Sequence, residues 1–564
     1  MTQNNLKFYD PQKRPWPNPR LDRGSIIGHT TASSVRLWFR VSEAGRYWLV
    51  VSRDPIPTQG MPDVVRENNR EECRVTSSRG QVPGTQPSET GDGRAIATAT
   101  ESPIPLQIDR DRDLTVVVDI EDLQSDTRYY YALFQPNREM PWELGHEEPL
   151  SFRTFPEQAT AVNFGIYSCH MPYEGHKIAQ MEMWDAFYRE LCAADARFIL
   201  ATGDQVYVDG EKELSIWEWL RQNRHRNPDR AQMVDWYRDI YRGYWGFSAL
   251  QKVYRRFPTY MIWDDHDIVD GWGSYTPKEL AGLLDRSWEL RNLNEQLRLA
   301  GEMFEAAKQV YEEYQHSHNP PTDSEANQFD YSLNYGRYAF YILDMRGHHN
   351  YNRAELRSLG VEQWMRFEAW LNQQYNDPPR ILFIISPVPV VHFNSFAINE
   401  IDLSFMGYQD DQRDHWEHRS NWDERNKLLS LVFRWSQQTQ GKVIFISGDV
   451  HVGAAFKISH PDSPGARVFQ LTSSGITYAD LSPFARRVLE FGVQKDGVLG
   501  DRKGNVPYRV RNLALCRHYN FGIVRLADKD NGDVGVIYDL FGGKHDRHGT
   551  FEVYKTRLDL DAIS

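Results

Sequence analysis

Cysteine is scarce. The chain has 564 residues and only four cysteines, Cys73, Cys169, Cys192 and Cys516. No C-x-x-C pair occurs, so neither a disulfide framework nor a structural zinc site built on paired thiolates is expected. Long apolar runs are also missing. Nothing approaches the roughly eighteen consecutive apolar residues that a membrane-spanning helix requires, so no membrane span is expected. The N-terminus, MTQNNLKFYDPQKRPWPNP, has no apolar stretch followed by a small-residue cleavage site and no twin arginine. Export is therefore not expected, and a soluble, cytoplasmic protein is. Positive charge is outnumbered: the formal net charge is −13. A long nucleic acid held by its phosphates would need the opposite balance and is not an expected partner. What remains is 40% hydrophobic, 13% aromatic and 25% charged, the composition of a folded globular chain. Its length predicts more than one domain.

Two textures divide the sequence. Up to about residue 155, stretches such as SVRLWFRV and TVVVDI alternate with period two between polar turns, the pattern of a small β-sandwich. We place that domain at residues 20–156 and expect the polar insert from Ser77 to Glu101 to be an exposed loop. From residue 160 to 564, short apolar strands end in polar clusters and alternate with helical stretches, which predicts an α/β domain. The strands are VNFGIYSCH, RFILATGDQVY, TYMIWDDHD, RYAFYILDMRG, RILFIISPVP and KVIFISGDVH. The segment PKELAGLLDRSWELRNLNEQLRLAGEMFEAAKQVYEEYQ carries apolar residues at helical spacing and predicts one or two amphipathic helices.

In such a fold, sites gather beyond the carboxyl ends of the strands. Four strands here end in groups that bind metals: Cys169 in SCH, Asp204 and Tyr207 in GDQVY, the acids and His266 in WDDHD, and Asp449 with His451 in GDVH. One Asp after a strand is ordinarily a cap or turn residue. Recurrence at four strand ends points instead to a shared site. Carboxylates, a histidine, a phenol and a thiol together suit a mixed pair of ions, with thiolate and phenolate favouring iron or zinc and carboxylates favouring calcium, magnesium or manganese. Two such ions can clamp a phosphate and activate water. Arg346 in LDMRG is the candidate to grip a phosphate, with an ion pair to Asp344 as the alternative. The histidine pairs His316/His318 and His348/His349 are expected to be solvated, and Trp245, Trp272 and Tyr275 to pack in the core or line the entrance.

The run SC, GDQVY, WDDHD, LDMR, SGDVH and TSSGIT resembles the signatures of the PhoD-like (alkaline phosphatase D type) metallophosphatases, within the calcineurin-like metallophosphoesterases. The resemblance spans nearly the whole chain. It implies a four-layer αββα catalytic core, iron and calcium as metals, and hydrolysis of small phosphate mono- or diesters by a metal-activated hydroxide. Carried across by position, Cys169 and Tyr207 resemble iron ligands, Asp204 the bridging carboxylate, Asp265, Asp449 and His451 further metal ligands, and His266 the residue meeting the leaving oxygen. Asp267 is then expected to orient His266 by a hydrogen bond, while Asp264 and Asp270 are left to backbone turns or a third metal contact. Met171 and the PVP after ILFIIS replace two histidines of the wider group, as in PhoD-like members. A noncatalytic binding protein retaining the fold and a structural metal is the competing reading, and a nuclease is disfavoured by the acidic balance.

Overall fold

The computed structural model describes residues 16–57, 88–89, 95–98, 103–135, 149–159, 161–174, 177–178, 181–210, 214–223, 228–284, 293–323, 327–400, 409–478, 492–499, 508–530, 532–546 and 548–563. Cys73 lies outside them. Two antiparallel-rich sheets form first. One runs Gly24–Thr30, Val35–Arg40, Thr115–Glu121, Ala95–Thr98, Ser88–Glu89, and the other Ile104–Ile108, Gly45–Ser52, Arg128–Phe134, Ser151–Arg153. The period-two pattern explains how they pack. Leu37 and Phe39 join Leu49, Val51, Tyr131 and Leu133 in one core shared by both sheets, whereas Trp38, between them, points the other way into the larger core. Within the insert expected as an exposed loop, Ser88–Glu89 and Ala95–Thr98 form short strands, and residues 77–87, 90–94 and 99–101 lie outside the described residues. Ala95 and Ala97 are small enough to join the shared core, and that packing outweighs a polar local sequence.

The rest is built on two larger sheets. The first has the order Thr259–Ile262, Phe198–Thr202, Ala161–Tyr167, Tyr519–Asp528, Val534–His545, Phe551–Asp559. The second has the order Tyr331–Tyr335, Tyr338–Ile342, Ile381–Ile385, Lys442–Ser447, Arg467–Thr472, Gly453–Ser459, Arg509–Cys516, Gly497–Val498. Their inner faces meet: Phe164 of one sheet packs edge-on against Phe383 of the other, with ring centroids 5.3 Å apart. The pleat sends alternate residues outward, so Tyr341, Ile384 and Phe445 leave the inner core for a second one formed with Trp364, Phe367, Leu428 and Val432 of the helices Gly360–Gln373 and Trp422–Thr439. On the far side of the first sheet, helix Glu182–Ala193 lays Phe187 against Phe521, centroids 4.9 Å apart. Strands covered on both faces are apolar along their middle, which is why ILFII and the VIFI of KVIFIS read as unbroken runs.

The predicted amphipathic segment forms two helices, Pro277–Leu284 and Leu293–Tyr314. Among the described residues, no helix is long and apolar enough to cross a membrane. Helix Arg230–Tyr244 starts at a capping box in which Asp229 accepts from Gln232 N and the Gln232 side chain accepts from Asp229 N. It supports the strand-end loops: Tyr237 donates to the carbonyl of Ile268 at 2.6 Å and Tyr244 to that of Tyr207 at 3.0 Å.

Candidate metal centre

In the first sheet, Ala161–Tyr167, Phe198–Thr202 and Thr259–Ile262 pair in parallel, and in the second Ile381–Ile385, Lys442–Ser447 and Arg467–Thr472 do the same. Their carboxyl ends therefore open at common edges. The loops they feed are stitched together: Cys169 N donates to Gly203 O at 3.3 Å and His170 N to Asp204 O at 2.8 Å. Four of the predicted site residues, Cys169, Asp204, Asp449 and His451, have φ between 53° and 68°. A residue with a Cβ is unfavourable there, and such conformations concentrate where function requires them. Gly203, with φ +103°, permits the crossing of two loops, because a Cβ there would lie 2.7 Å from Asp264 Cβ.

The predicted ligands converge. Cys169 Sγ lies 3.3 Å from Asp204 Oδ2, and Tyr207 donates its hydroxyl to the same oxygen at 3.2 Å. The Tyr207 oxygen also meets His451 Nε2 at 3.1 Å. Ser474 Oγ sits 3.2 Å from Cys169 Sγ and accepts from His451 N at 2.7 Å. Ligand atoms of Cys169, Asp204 and His451 lie within 4.8 Å of one another, and so do those of Asp204, Asp264, Asp265 and Asp449. Asp204 belongs to both groups.

Electrostatics asks for a cation here. Two carboxylates about 4 Å apart repel by about 4 kcal/mol at an effective dielectric constant of about 20. Arg346 meets part of the demand. Its guanidinium, 1% exposed, contacts Asp264 at 2.5 Å, Asp265 at 3.2 Å and Asp414 at 2.6 Å. Burial would raise Asp265, but Arg346 and His266 outweigh it and hold that carboxyl below its usual range. Asp264 remains pushed up to about 6 by burial. Burial, helped by Asp264 and Asp265, pushes both Asp204 and Asp449 well above the carboxylate range. The Cys169 thiol is also driven up by burial and by Asp204. Asp204 Oδ1 and Asp264 Oδ2 are buried without a hydrogen-bond donor, while Asp265 Oδ1 faces Arg346 Nη2 at 3.2 Å. Such a donor set fits metal ions, whose charge would offset the acids and occupy the orphaned oxygens.

Several expectations are corrected. Asp267 does not orient His266. The tight turn Asp265–Asp267 directs its carboxylate to the backbone N–H groups of Asp204, Gln205 and Asp264 and to Gln315 Nε2. The partner of His266 Nδ1 is Asp209, at 2.7 Å, which sequence reasoning missed. Asp209 also accepts from Asp270 N at 2.5 Å. Arg346 is paired with three acids and is not presented to solvent. Asp344, its alternative partner, instead accepts from the backbone of Arg346 and Gly347 and from Trp263 Nε1. His316, His318 and His349 are buried rather than solvated; His316 Nε2 lies 2.6 Å from Thr322 Oγ1. Trp245 is a core residue and Trp272 stacks on Phe304 with centroids 4.9 Å apart. Tyr275 donates to Asp270 O at 2.7 Å. Asp414 was also missed; its only sequence signal is the acidic run DDQRD, far from the motifs. His170 serves structure: its Nδ1 accepts from Trp184 Nε1 at 3.2 Å, which leaves Nε2 to donate to Tyr244 O at 3.0 Å.

A family model described as PhoD-like phosphatase matches residues 164–526. A solved structure of PhoD is similar to this chain with a TM-score of 0.57 at 14% identity, over 96% of this chain and 91% of that one. At that identity the likeness is one of fold. Purple acid phosphatase PPD1 from yellow lupin (Lupinus luteus) seeds has a TM-score of 0.48 at 11% identity, over 96% of this chain and 75% of that one, too low to carry an argument. No curated protein sequence matches this chain.

Proposed function

Because this chain belongs to the PhoD-like phosphatase family, we propose that it is a metal-dependent phosphohydrolase acting on small phosphate mono- or diesters. Residues 20–156 are read as its β-sandwich module and 160–564 as the catalytic unit with a four-layer αββα core. The supporting observation is the pair of ligand groups that share Asp204, with orphaned oxygens on Asp204 and Asp264.

In this reading Cys169, Asp204, Tyr207 and His451 hold one ion, iron by their mixture of thiolate, phenolate and imidazole. Asp204, Asp264, Asp265 and Asp449 hold a second, calcium by their hard oxygens. The ions, when bound, supply Lewis-acid polarisation of the phosphoester and activation of a water. His266 is the general acid for the leaving oxygen. Its side chain is 21% exposed and reachable from solvent, and Asp209 on Nδ1 leaves Nε2 as the nitrogen that can face a substrate. Asp209 raises the His266 pKa well above its ordinary value against the lowering effect of burial, which favours the proton-carrying form that an acid needs. Asp267 fixes the Asp204 and Asp264 backbones rather than touching substrate. Arg346 acts by holding Asp264 and Asp265 in place.

The test is hydrolysis of bis(nitrophenyl) phosphate and nitrophenyl phosphate by protein purified without added ions, before and after chelation, with elemental analysis alongside. Turnover lost on chelation and restored by iron and calcium supports the reading. Bound metals with no turnover on either ester would favour a noncatalytic binding protein instead.

A further inference from the structure

Outside the metal centre, arginines converge at the seam between the first two sheets and the catalytic unit. A cleft of about 120 Å³ is lined there by Arg128, Arg153, Arg197 and Arg256, with Asp195 and Cys192 among its other walls. These residues come from separate parts of the chain: the strands Arg128–Phe134 and Ser151–Arg153, the loop after helix Glu182–Ala193, and the approach to strand Thr259–Ile262. Folding has gathered them. In a chain of net charge −13, that gathering runs against the general balance.

Two details mark the cleft as cationic. Arg128 and Arg153 are direct partners in antiparallel pairing, and like charges placed opposite each other destabilise a sheet unless something neutral or negative lies between them. Asp126 supplies part of the compensation, accepting from Arg153 at 2.7 Å and from Arg197 at 3.0 Å. Arg197 is further fixed by donating to Thr154 O at 2.8 Å. The Arg128 side chain makes no hydrogen bond or ion pair with the described residues. Arg256 lies with its guanidinium 5.9 Å from the centroid of the Tyr188 ring; counting Arg128, Arg153 and Arg197 against Asp126 and Asp195 leaves a surplus of one positive charge. The planar guanidinium groups of Arg153 and Arg197, already held in position by Asp126 and Thr154 O, can bind an oxyanion with little further loss of freedom, and Arg128 is left to complete the grip.

We propose that this cleft is a second anion site, distinct from the metal centre, which takes a small multiply charged oxyanion such as phosphate or a phosphoryl group. Its occupant bridges the first two sheets and the catalytic unit.

Cys192 provides a local reporter, because it is exposed while Cys169 and Cys516 are buried. The full-length protein is alkylated with iodoacetate, and the modification of Cys192 is followed by peptide mass spectrometry. Inorganic phosphate at about 20 mM is compared with chloride at matched ionic strength. Occupancy slows reaction by one plus the ratio of ligand concentration to Kd, so with a Kd of about 5 mM phosphate should slow Cys192 modification about fivefold and chloride should not. In Arg128→Gln the phosphate effect should fall close to none. Equal slowing by chloride and phosphate would reduce the cleft to general screening. An undiminished phosphate effect in Arg128→Gln would place the responsible phosphate elsewhere, and either result overturns the proposal. The chloride comparison on the unmodified protein stands even if the variant folds poorly.

Discussion

Nδ1 of His266 lies 2.7 Å from Oδ2 of Asp209, whose same oxygen accepts from Asp270 N at 2.5 Å. One carboxylate thus fixes both the imidazole and the loop that follows it. If His266 protonates the leaving oxygen, His266→Ala should lower turnover by about 10²–10⁴ on an alkyl phosphoester and less on a nitrophenyl ester. Metal content should stay the same. Asp209→Asn should cost about 10–100-fold by loosening the ring. The sharper measurement is the double variant: in a His266→Ala background, Asp209→Asn should have almost no further effect. A full additional loss would mean that Asp209 acts through Asp270 or the loop instead.

Arg346 should behave as a structural cation. Replacing it with Met leaves Asp264, Asp265 and Asp414 buried without their partner, and breaking a buried ion pair from one side costs about 3–5 kcal/mol. Arg346→Met is therefore expected to melt markedly lower and to lose metal. Normal melting with a raised KM and intact metals would instead restore the phosphate-gripping role.

The division between what the sequence revealed and what it hid follows from range. Cys169, Asp204, Tyr207, Asp449 and His451 were legible because each sits within a few residues of an apolar run that can only be a buried strand. Such runs all deliver their ends to the same edge. Adjacency of Asp267 to His266 says nothing about direction: within the tight turn Asp265–Asp267, His266 meets Asp209 while Asp267 meets the backbone of Asp204, Gln205 and Asp264. Asp209 and Asp414 lie 57 and 68 residues from the groups they serve, and no local pattern marks such pairings. His316 and His318 look like solvent residues by type. Burial at the seam with the first sheets decides their fate, as the contact of Gly28 with the His318 backbone shows.

Asp265→Asn should separate metal binding from chemistry. It keeps the side-chain shape and one oxygen ligand but removes a charge from the group formed with Asp204, Asp264 and Asp449. Metal affinity should fall about 10–100-fold, and part of the rate should return when metal is added in excess. A rate loss at unchanged metal affinity, measured by competition with a chelator, would remove Asp265 from the ligand set.

Acid should destabilise the fold through its buried neutral histidines. His318 is fully buried, and burial, reinforced by Arg36, lowers its pKa to about 3; His29 is lowered to about 4 for the same two reasons. Above pH 6.5 these groups are neutral in both states and cost nothing. As pH falls from about 6.5 towards 3, the unfolded chain binds protons that the folded one refuses, so stability declines by up to about 1.4 kcal/mol per pH unit for each. Melting temperature measured against pH should fall over this window. In His318→Gln the slope should shrink by the share of one proton, whatever the variant's absolute stability; an unchanged slope would show that His318 is protonated in the folded protein.

The first two sheets are expected to be inseparable from the two larger ones. Trp38, fully buried, donates from Nε1 to Glu313 O at 2.8 Å, and its ring lies 5.6 Å from Tyr314 and 6.3 Å from Trp245. Leu21, Ile26, Val117 and Phe155 join the same core. Around this core, Asp113 binds Arg40, Arg242 and the Tyr314 hydroxyl. A chain starting at Ala159 would expose Trp245 and Tyr314 and strip Arg242 of a buried partner. Each large apolar side chain returned to water loses about 1.5–3 kcal/mol, so a few such exposures consume the 5–15 kcal/mol by which folded domains are usually stable. The shortened chain should therefore aggregate or unfold, losing metals and turnover together, and Trp38→Ala alone should cost about 3–5 kcal/mol. Cooperative melting, metal content and turnover measured on the same sample decide the matter. A shortened chain that melts cooperatively and keeps its metals would overturn the shared-core argument, and turnover lost from such a chain would show that the first sheets shape the cleft directly.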